Sequence, residues 1–209
     1  MTKLLLSTIN MGKQLQVKNS HITIGLTNPK SPSNVGAVMR AAGCYSVNQV
    51  FYTGQRYENA TKFNGSKRKN SKLTTDTKNA QDKIPLKATE KFEKDDLIRT
   101  LLPQNTKIVC VDLIEGATPL PYFKHPEKAL YIFGPEDGTI SQDMINKADE
   151  VVYVPTVGCM NLAASVNVLL YDRLAKTMSG NKSENNGMTQ SDNELIRKSR
   201  DTNNKVKIL

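Results

Sequence analysis

Short, unbroken apolar runs constrain this chain most. Ile108-Val109-Cys110-Val111, within Lys107 to Leu113, and Ala129-Leu130-Tyr131-Ile132-Phe133 show no alternation of apolar and polar residues. A strand with one wet face alternates. An unbroken run belongs to a strand covered on both faces, the kind found in parallel sheets. His21 to Leu26, Gln49 to Thr53 and Glu150 to Val154 read as further strands, rich in β-branched and aromatic residues. Helical patterns lie between them. Val35, Val38, Met39 and Ala42 share a face in a helix running to Cys44, with Ser33 as its expected N-cap. Asp95 to Leu102 reads as a short helix ending near Pro103, and Ser141 caps another through Lys147. Asn161 to Lys176 spaces Leu162, Ser165, Val166, Leu169, Leu170 and Leu174 for burial. Strands alternating with helices predict an α/β fold around a mainly parallel sheet.

Two stretches break the pattern. Residues 55–83 carry few apolar side chains, and from Lys62 to Lys83 seven basic residues face only Asp76 and Asp82, which predicts a long exposed excursion. After Met178 the chain turns polar and asparagine-rich. The division expected is a domain over 1–178 and a polar, disordered tail over 179–209, with a short helix near Leu195 as its one candidate element. The hydrophobic fraction of 38% agrees with part of the length being unpacked. The net charge of +9 favours a polyanionic partner, most simply nucleic acid. Cys44, Cys110 and Cys159 form no CxxC pair, which argues against a disulfide framework or zinc site. Leu4-Leu5-Leu6 is too short for the core of a signal peptide, and no run approaches the roughly 20 apolar residues of a membrane span. A cytoplasmic chain with no membrane contact and no metal is expected.

Three strand-to-helix junctions carry glycine beside hydrogen-bonding side chains. They are Ser33 to Arg40, Ile132 to Gly138, and Val154 to Leu162. Alone, each also describes an ordinary helix start or β-turn. Three in one small chain point to one composite site where strand ends converge. Arg40 offers a fork of fixed donors for phosphate or carboxylate. Glu136 can accept hydrogen bonds from ligand or loop. Backbone N–H groups before Asn161 can hold a polar ligand.

The ordered set Asn34-x-Gly36-x-x-x-Arg40, Phe133-Gly134-x-Glu136 with Gly138 and Ser141, and Val154-Pro155 through Met160-Asn161-Leu162 resembles the SPOUT class of RNA methyltransferases. Within that class it resembles the SpoU/TrmH group of ribose 2′-O-methyltransferases, over about His21 to Lys176. The resemblance implies an α/β fold with a deep trefoil knot toward its C-terminal part. It implies S-adenosylmethionine held in the knot, largely by backbone. Motif matching places cofactor contacts at Leu113, Gly134, Val154 and Met160, with Phe133, Thr156, Gly158 and Cys159 helping. The resemblance further implies a homodimer in which Arg40 of one subunit faces cofactor held by the other. Arg40, Asn34, Glu136 and Asn161 are the implied catalytic set.

The family assigns loss of the ribose proton to the first-motif arginine. A guanidinium is far too weak a base at neutral pH without activation, so Arg40 is read first as a clamp on phosphate or ribose. Where the family commonly has Ser-Leu-Asn, this chain has Cys159-Met160-Asn161, and a thiol donates hydrogen bonds poorly. The implied RNA is tRNA or rRNA, with contacts expected at Arg40, Lys67, Arg68, Lys69 and Lys72. The competing reading is a non-catalytic RNA-binding or assembly module on the same scaffold. A nucleotide-dependent oxidoreductase would need GxGxxG after the first strand, which Thr27 to Gly36 lacks.

Overall fold

The computed structural model describes residues 20–65, 75–76, 80–90, 92, 100–180, 190–200 and 203–208. The strands are β1 (His21–Leu26), β2 (Gln49–Tyr52), β3 (Leu86–Ala88), β4 (Lys107–Val111), β5 (Thr118–Pro119), β6 (Lys128–Phe133) and β7 (Glu150–Tyr153). The helices are α1 (Pro32–Cys44), α2 (Arg56–Gly65), α3 (Gln142–Lys147), α4 (Leu162–Gly180) and α5 (Gln190–Ser199). The strands form one seven-stranded sheet in the order β3-β2-β1-β6-β4-β7-β5, and every neighbouring pair is parallel.

The unbroken runs explain the layers. Side chains along a strand point alternately to opposite faces, so a run buried throughout must feed two cores. Val109, Val111, Tyr131 and Phe133 pack on one face with Val35, Val38 and Met39 of α1 and Val166, Leu169 and Leu170 of α4. Ile108, Cys110, Leu130 and Ile132 pack on the other with Met144 of α3, Phe92 and Ile140. Each fully buried side chain of this size contributes about 1.5–3 kcal/mol. The central position of β6, between β1 and β4, puts the most apolar run farthest from water. Burial, followed by the Asp112 carboxylate, pushes the Cys110 thiol up to about 12, so Cys110 acts as a packing residue.

Several expectations change. Helix α1 is capped by Ser31, not Ser33: Ser31 Oγ accepts from Asn34 N at 3.4 Å, and Pro32 takes the first helical position, where its missing N–H costs nothing. The segment 55–83 is not all exposed. Helix α2 buries Tyr57, whose ring meets Tyr52 edge-on at 5.0 Å. Asp76 is buried and accepts from the N–H groups of Ala80 and Gln81, capping a 3₁₀ turn. Of the helix expected from Asp95, only residues from 100 onward are described, and Leu102 there is buried. The chain divides into two units, 1–175 and 176–209. The second contains α5, with Arg197 and Lys198 in its last turn, where cations suit the helix dipole. Among the described residues no helix is long and apolar enough to cross a membrane.

Candidate functional site

A cleft opens where β4, β6 and β7 end. It offers about 130 Å³ of enclosed space and is otherwise open to solvent. Leu113, Phe133, Gly134, Val154, Thr156, Cys159 and Met160 line it, so seven of the eight expected cofactor positions come together. Gly158, the eighth, is not among the lining residues. It holds φ +93, a conformation glycine adopts freely, and its carbonyl accepts from Thr156 Oγ1 at 2.9 Å. Cys159 is exposed.

Asp112, which motif matching does not single out, also lines the cleft. Its Oδ2 accepts from Thr139 Oγ1 at 2.9 Å and from Ile140 N at 3.0 Å, and its Oδ1 accepts from Leu113 N at 2.8 Å. One carboxylate thereby ends β4 and pins the loop that follows β6. It also dictates Gly134, because a Cβ there would lie 2.6 Å from Asp112 Oδ2. The signal available in sequence was an acid closing a buried strand. Its partners lie 27 and 28 positions away.

Asn34, Glu136 and Asn161 form a relay across the three junctions. Asn161 Nδ2 donates to Asn34 Oδ1 at 2.9 Å, and Asn34 Nδ2 donates to Glu136 Oε1 at 3.2 Å. The direction is forced. An ionised Glu136 only accepts, so Asn34 must offer it the amide NH₂ and turn its oxygen to Asn161. Asn161 then keeps its own oxygen for the start of α4, where Oδ1 accepts from Ala163 N at 2.9 Å.

The far end of the relay is anchored by charge. Glu136 accepts from Lys30 N at 2.8 Å and Ser31 N at 3.1 Å, and Arg56 Nη2 stands 3.6 Å from Oε2. Burial pushes the Glu136 carboxyl up. The hydrogen bonds from Lys30, its own backbone, Asn34 and Ser31 outweigh that and hold it below its ordinary value. Arg56 Nη1 bonds Asp137 Oδ1 at 2.7 Å, and that hydrogen bond is the main cause holding Asp137 low.

Arg40 is exposed on α1 and does not line this cleft. Lys67, Arg68, Lys69 and Lys72 lie outside the described residues. Among the described residues no three His, Cys, Asp or Glu gather to hold a metal ion.

Fold and site define a class: a parallel α/β protein whose ligand cleft lies at the C-terminal ends of its strands, with a lip wired by amides and a carboxylate. The profile of the SpoU rRNA Methylase family matches residues 21–171, and the chain belongs to that family. Similar solved structures include the SpoU methyltransferase AviRb from Streptomyces viridochromogenes in complex with AdoMet, at 16% identity and TM-score 0.60, over 80% of this chain and 62% of that one. The TrmH/SpoU tRNA modifying enzyme of A. aeolicus matches at 14% identity and TM-score 0.63, over 93% and 94% of the two chains. An RNA 2′-O ribose methyltransferase matches at 19% identity and TM-score 0.57, over 78% and 59%. This chain thus spans less than two thirds of the AviRb chain. No curated protein sequence matches it.

The family uses S-adenosylmethionine. The residues present fit that group. Leu113, Val154 and Met160 supply apolar wall for a base. No hydrogen bond to another described residue uses the backbone N–H groups of Gly158, Cys159 or Met160, which leaves donors for polar atoms.

Proposed function

We propose that this chain is an S-adenosylmethionine-dependent RNA 2′-O-ribose methyltransferase acting on tRNA or rRNA in the cytoplasm. The observation that carries the reading is the relay Asn161–Asn34–Glu136 on the lip of a cleft lined by Leu113, Gly134 and Met160. Family membership and the resemblance to an RNA 2′-O ribose methyltransferase support it.

Bound in the cleft, S-adenosylmethionine supplies a methyl group activated by its sulfonium. The chain's own residues orient the acceptor. Asn34 is locked by partners on both sides, and an ordered amide positions a hydroxyl without reorganising. Glu136, held ionised, sets the electrostatics of the lip. Arg40, a permanent cation, clamps ribose or phosphate, and the proton of the 2′-hydroxyl passes to solvent water.

The reading includes a homodimer and a knotted C-terminal part. Val168 and Tyr171 of α4 are exposed, and α4 packs beside α1 on the same face of the sheet. Arg40 stands one helical turn before Cys44 on α1. A second copy covering this face would bring Arg40 to the partner's cleft. The knot rests on membership of the family.

The test is transfer of labelled methyl to total tRNA or rRNA. Label resistant to alkaline hydrolysis is expected, and Arg40→Ala should lower the rate about 10²-fold or more. Equal transfer by Arg40→Ala would sink the site assignment. RNA affinity with no cofactor binding by calorimetry would select a non-catalytic module.

A further inference from the structure

The cofactor cleft is acidic in a basic chain. The chain carries a net charge of +9, yet the described residues that line the cleft include two carboxylates, Asp112 and Glu136, and no lysine, arginine or histidine. The two carboxylates differ in how their charge is met. Glu136 belongs to a lip that balances itself. Arg56 stands 3.6 Å from Glu136 and 2.7 Å from Asp137, and Lys30 stands 3.7 Å from Asp137. Two cations there face two carboxylates. Asp112 accepts from Leu113 N, Thr139 Oγ1 and Ile140 N, and forms no ion pair among the described residues. Neutral N–H and O–H donors orient a carboxylate and leave its charge in place.

The ligand of this cleft changes charge in the reaction. S-adenosylmethionine carries a sulfonium, an ammonium and a carboxylate, and so a single net positive charge. Transfer breaks the bond from sulfur to methyl and forms the bond from ribose oxygen to methyl. The electron pair of the broken bond stays on sulfur, and the hydroxyl proton goes to water. The S-adenosylhomocysteine left behind keeps the ammonium and carboxylate, has a neutral thioether, and carries no net charge. Donor and product thus differ by a methyl group and a charge. Charges act over roughly a Debye length, about 8 Å at physiological salt, so Asp112 need not touch the sulfur to tell them apart.

We propose that Asp112 is the residue by which this chain prefers the cationic methyl donor to its neutral product. The attraction that loads the cleft is then removed by the transfer itself, which favours release of the product. The proposal rests on the methyltransferase reading and deepens it.

The test is calorimetry on the full chain without RNA, using S-adenosylmethionine, S-adenosylhomocysteine and sinefungin, in which a carbon bearing an ammonium replaces the methylated sulfur. Wild type should bind both cationic ligands about ten-fold more tightly than S-adenosylhomocysteine. Raising the salt from about 50 mM to about 500 mM should narrow that ratio. Asp112→Asn should bring it close to unity. Glu136→Gln should leave it within about two-fold of wild type, because that charge is already met. Thr139→Val takes a hydrogen bond from Asp112 and keeps its charge, so the ratio should hold even where all three affinities fall. A residue that only holds the loops together would move the three ligands in step and leave the ratio alone. Equal binding of the three ligands by wild type overturns the proposal, as does a ratio that ignores salt or survives in Asp112→Asn. A ratio lost in Glu136→Gln moves the role to Glu136 and overturns the assignment; with the wild-type salt series, it decides the matter if Asp112→Asn does not fold. Binding without preference sinks the proposal alone, whereas no binding of any of the three sinks the methyltransferase reading with it.

Discussion

Helix α4 is tied to its unit by two polar relays that differ in their access to water. At its start, Asn161, Asn34 and Glu136 form an open chain on the lip of the cleft. About three turns further along, Arg173, Tyr131, His125 and Asp172 form a closed one. Arg173 Nη1 donates to Tyr131 OH at 2.8 Å, and His125 bonds Tyr131 OH at 2.7 Å through Nδ1 and Asp172 Oδ2 at 2.8 Å through Nε2. One arrangement of protons satisfies every group: the Tyr131 hydroxyl donates to Nδ1, and Nε2–H donates to the carboxylate. Tyr131 is fully buried, Arg173 nearly so, and the His125 side chain is 5% exposed. Burial pushes the Tyr131 phenol up to about 12 even though Arg173 pulls it down, so it stays protonated and able to donate. The two relays use the same logic of matched donors and acceptors. The buried one spends it on holding α4 to the strands, and the exposed one leaves its groups within reach of a ligand.

Cutting the buried relay should produce the largest effect. Arg173→Ala removes a donor from the Tyr131 hydroxyl and from the carbonyls of Pro126 and Glu127; the hydroxyl keeps His125 and the Glu127 carbonyl keeps the His21 N–H, so the Pro126 carbonyl loses most. A loss of about 2–3 kcal/mol is expected in denaturant unfolding, with cofactor affinity of the folded fraction unchanged. A loss below about 1 kcal/mol would show that water replaces Arg173 and that the relay is not closed. The open relay should respond the other way round. Asn34→Ala should cost about 10–100-fold in methyl transfer, the worth of a hydrogen bond to a charged group, with little change in unfolding midpoint. Asn161→Ala should add little on top of it, because both act through one chain. Additive losses would break the comparison.

These differences trace what sequence can carry. The runs through Ile108–Val111 and Ala129–Phe133 were legible because burial on both faces removes the alternation. Strands β3 and β5 were not, since Leu86–Ala88 and Thr118–Pro119 are edge pieces of three and two residues whose pairing comes from neighbours. Asn34, Glu136 and Asn161 were legible one at a time as motif members. Their relay was not, because it joins positions 102 and 127 apart. Asp112 and Arg173 were invisible for the same reason: each acts on groups that only the folded sheet brings near.

Within the open site, Gly134→Ala separates cleft geometry from relay chemistry. Its Cβ would press on Asp112 Oδ2 at 2.6 Å, and that oxygen is already committed to Thr139 and Ile140. Cofactor affinity by calorimetry should fall about ten-fold, with the Asn34–Glu136 contact left in place. Unchanged affinity would mean that the loop after β6 yields without cost and that Asp112 does not shape the cleft.

The smallest effect is the pH response of the lip. Glu136 and Asp137 both lie below their ordinary values in the folded chain. A lowered carboxyl contributes stability that is fully present above its unfolded pKa, about 3.9–4.3, and is lost as pH falls through the folded value. Wild type should therefore lose stability below about pH 4. Glu136→Gln should be weaker than wild type by about 1 kcal/mol at neutral pH, because an amide accepts fewer of the donors from Lys30, Ser31 and Asn34. The gap should narrow as pH falls through the lowered value of the folded carboxyl, where the wild-type side chain becomes neutral. A gap that stays constant from neutral pH to acid would show that Glu136 is held by shape alone. The open relay would then lack the charged end that sets its direction.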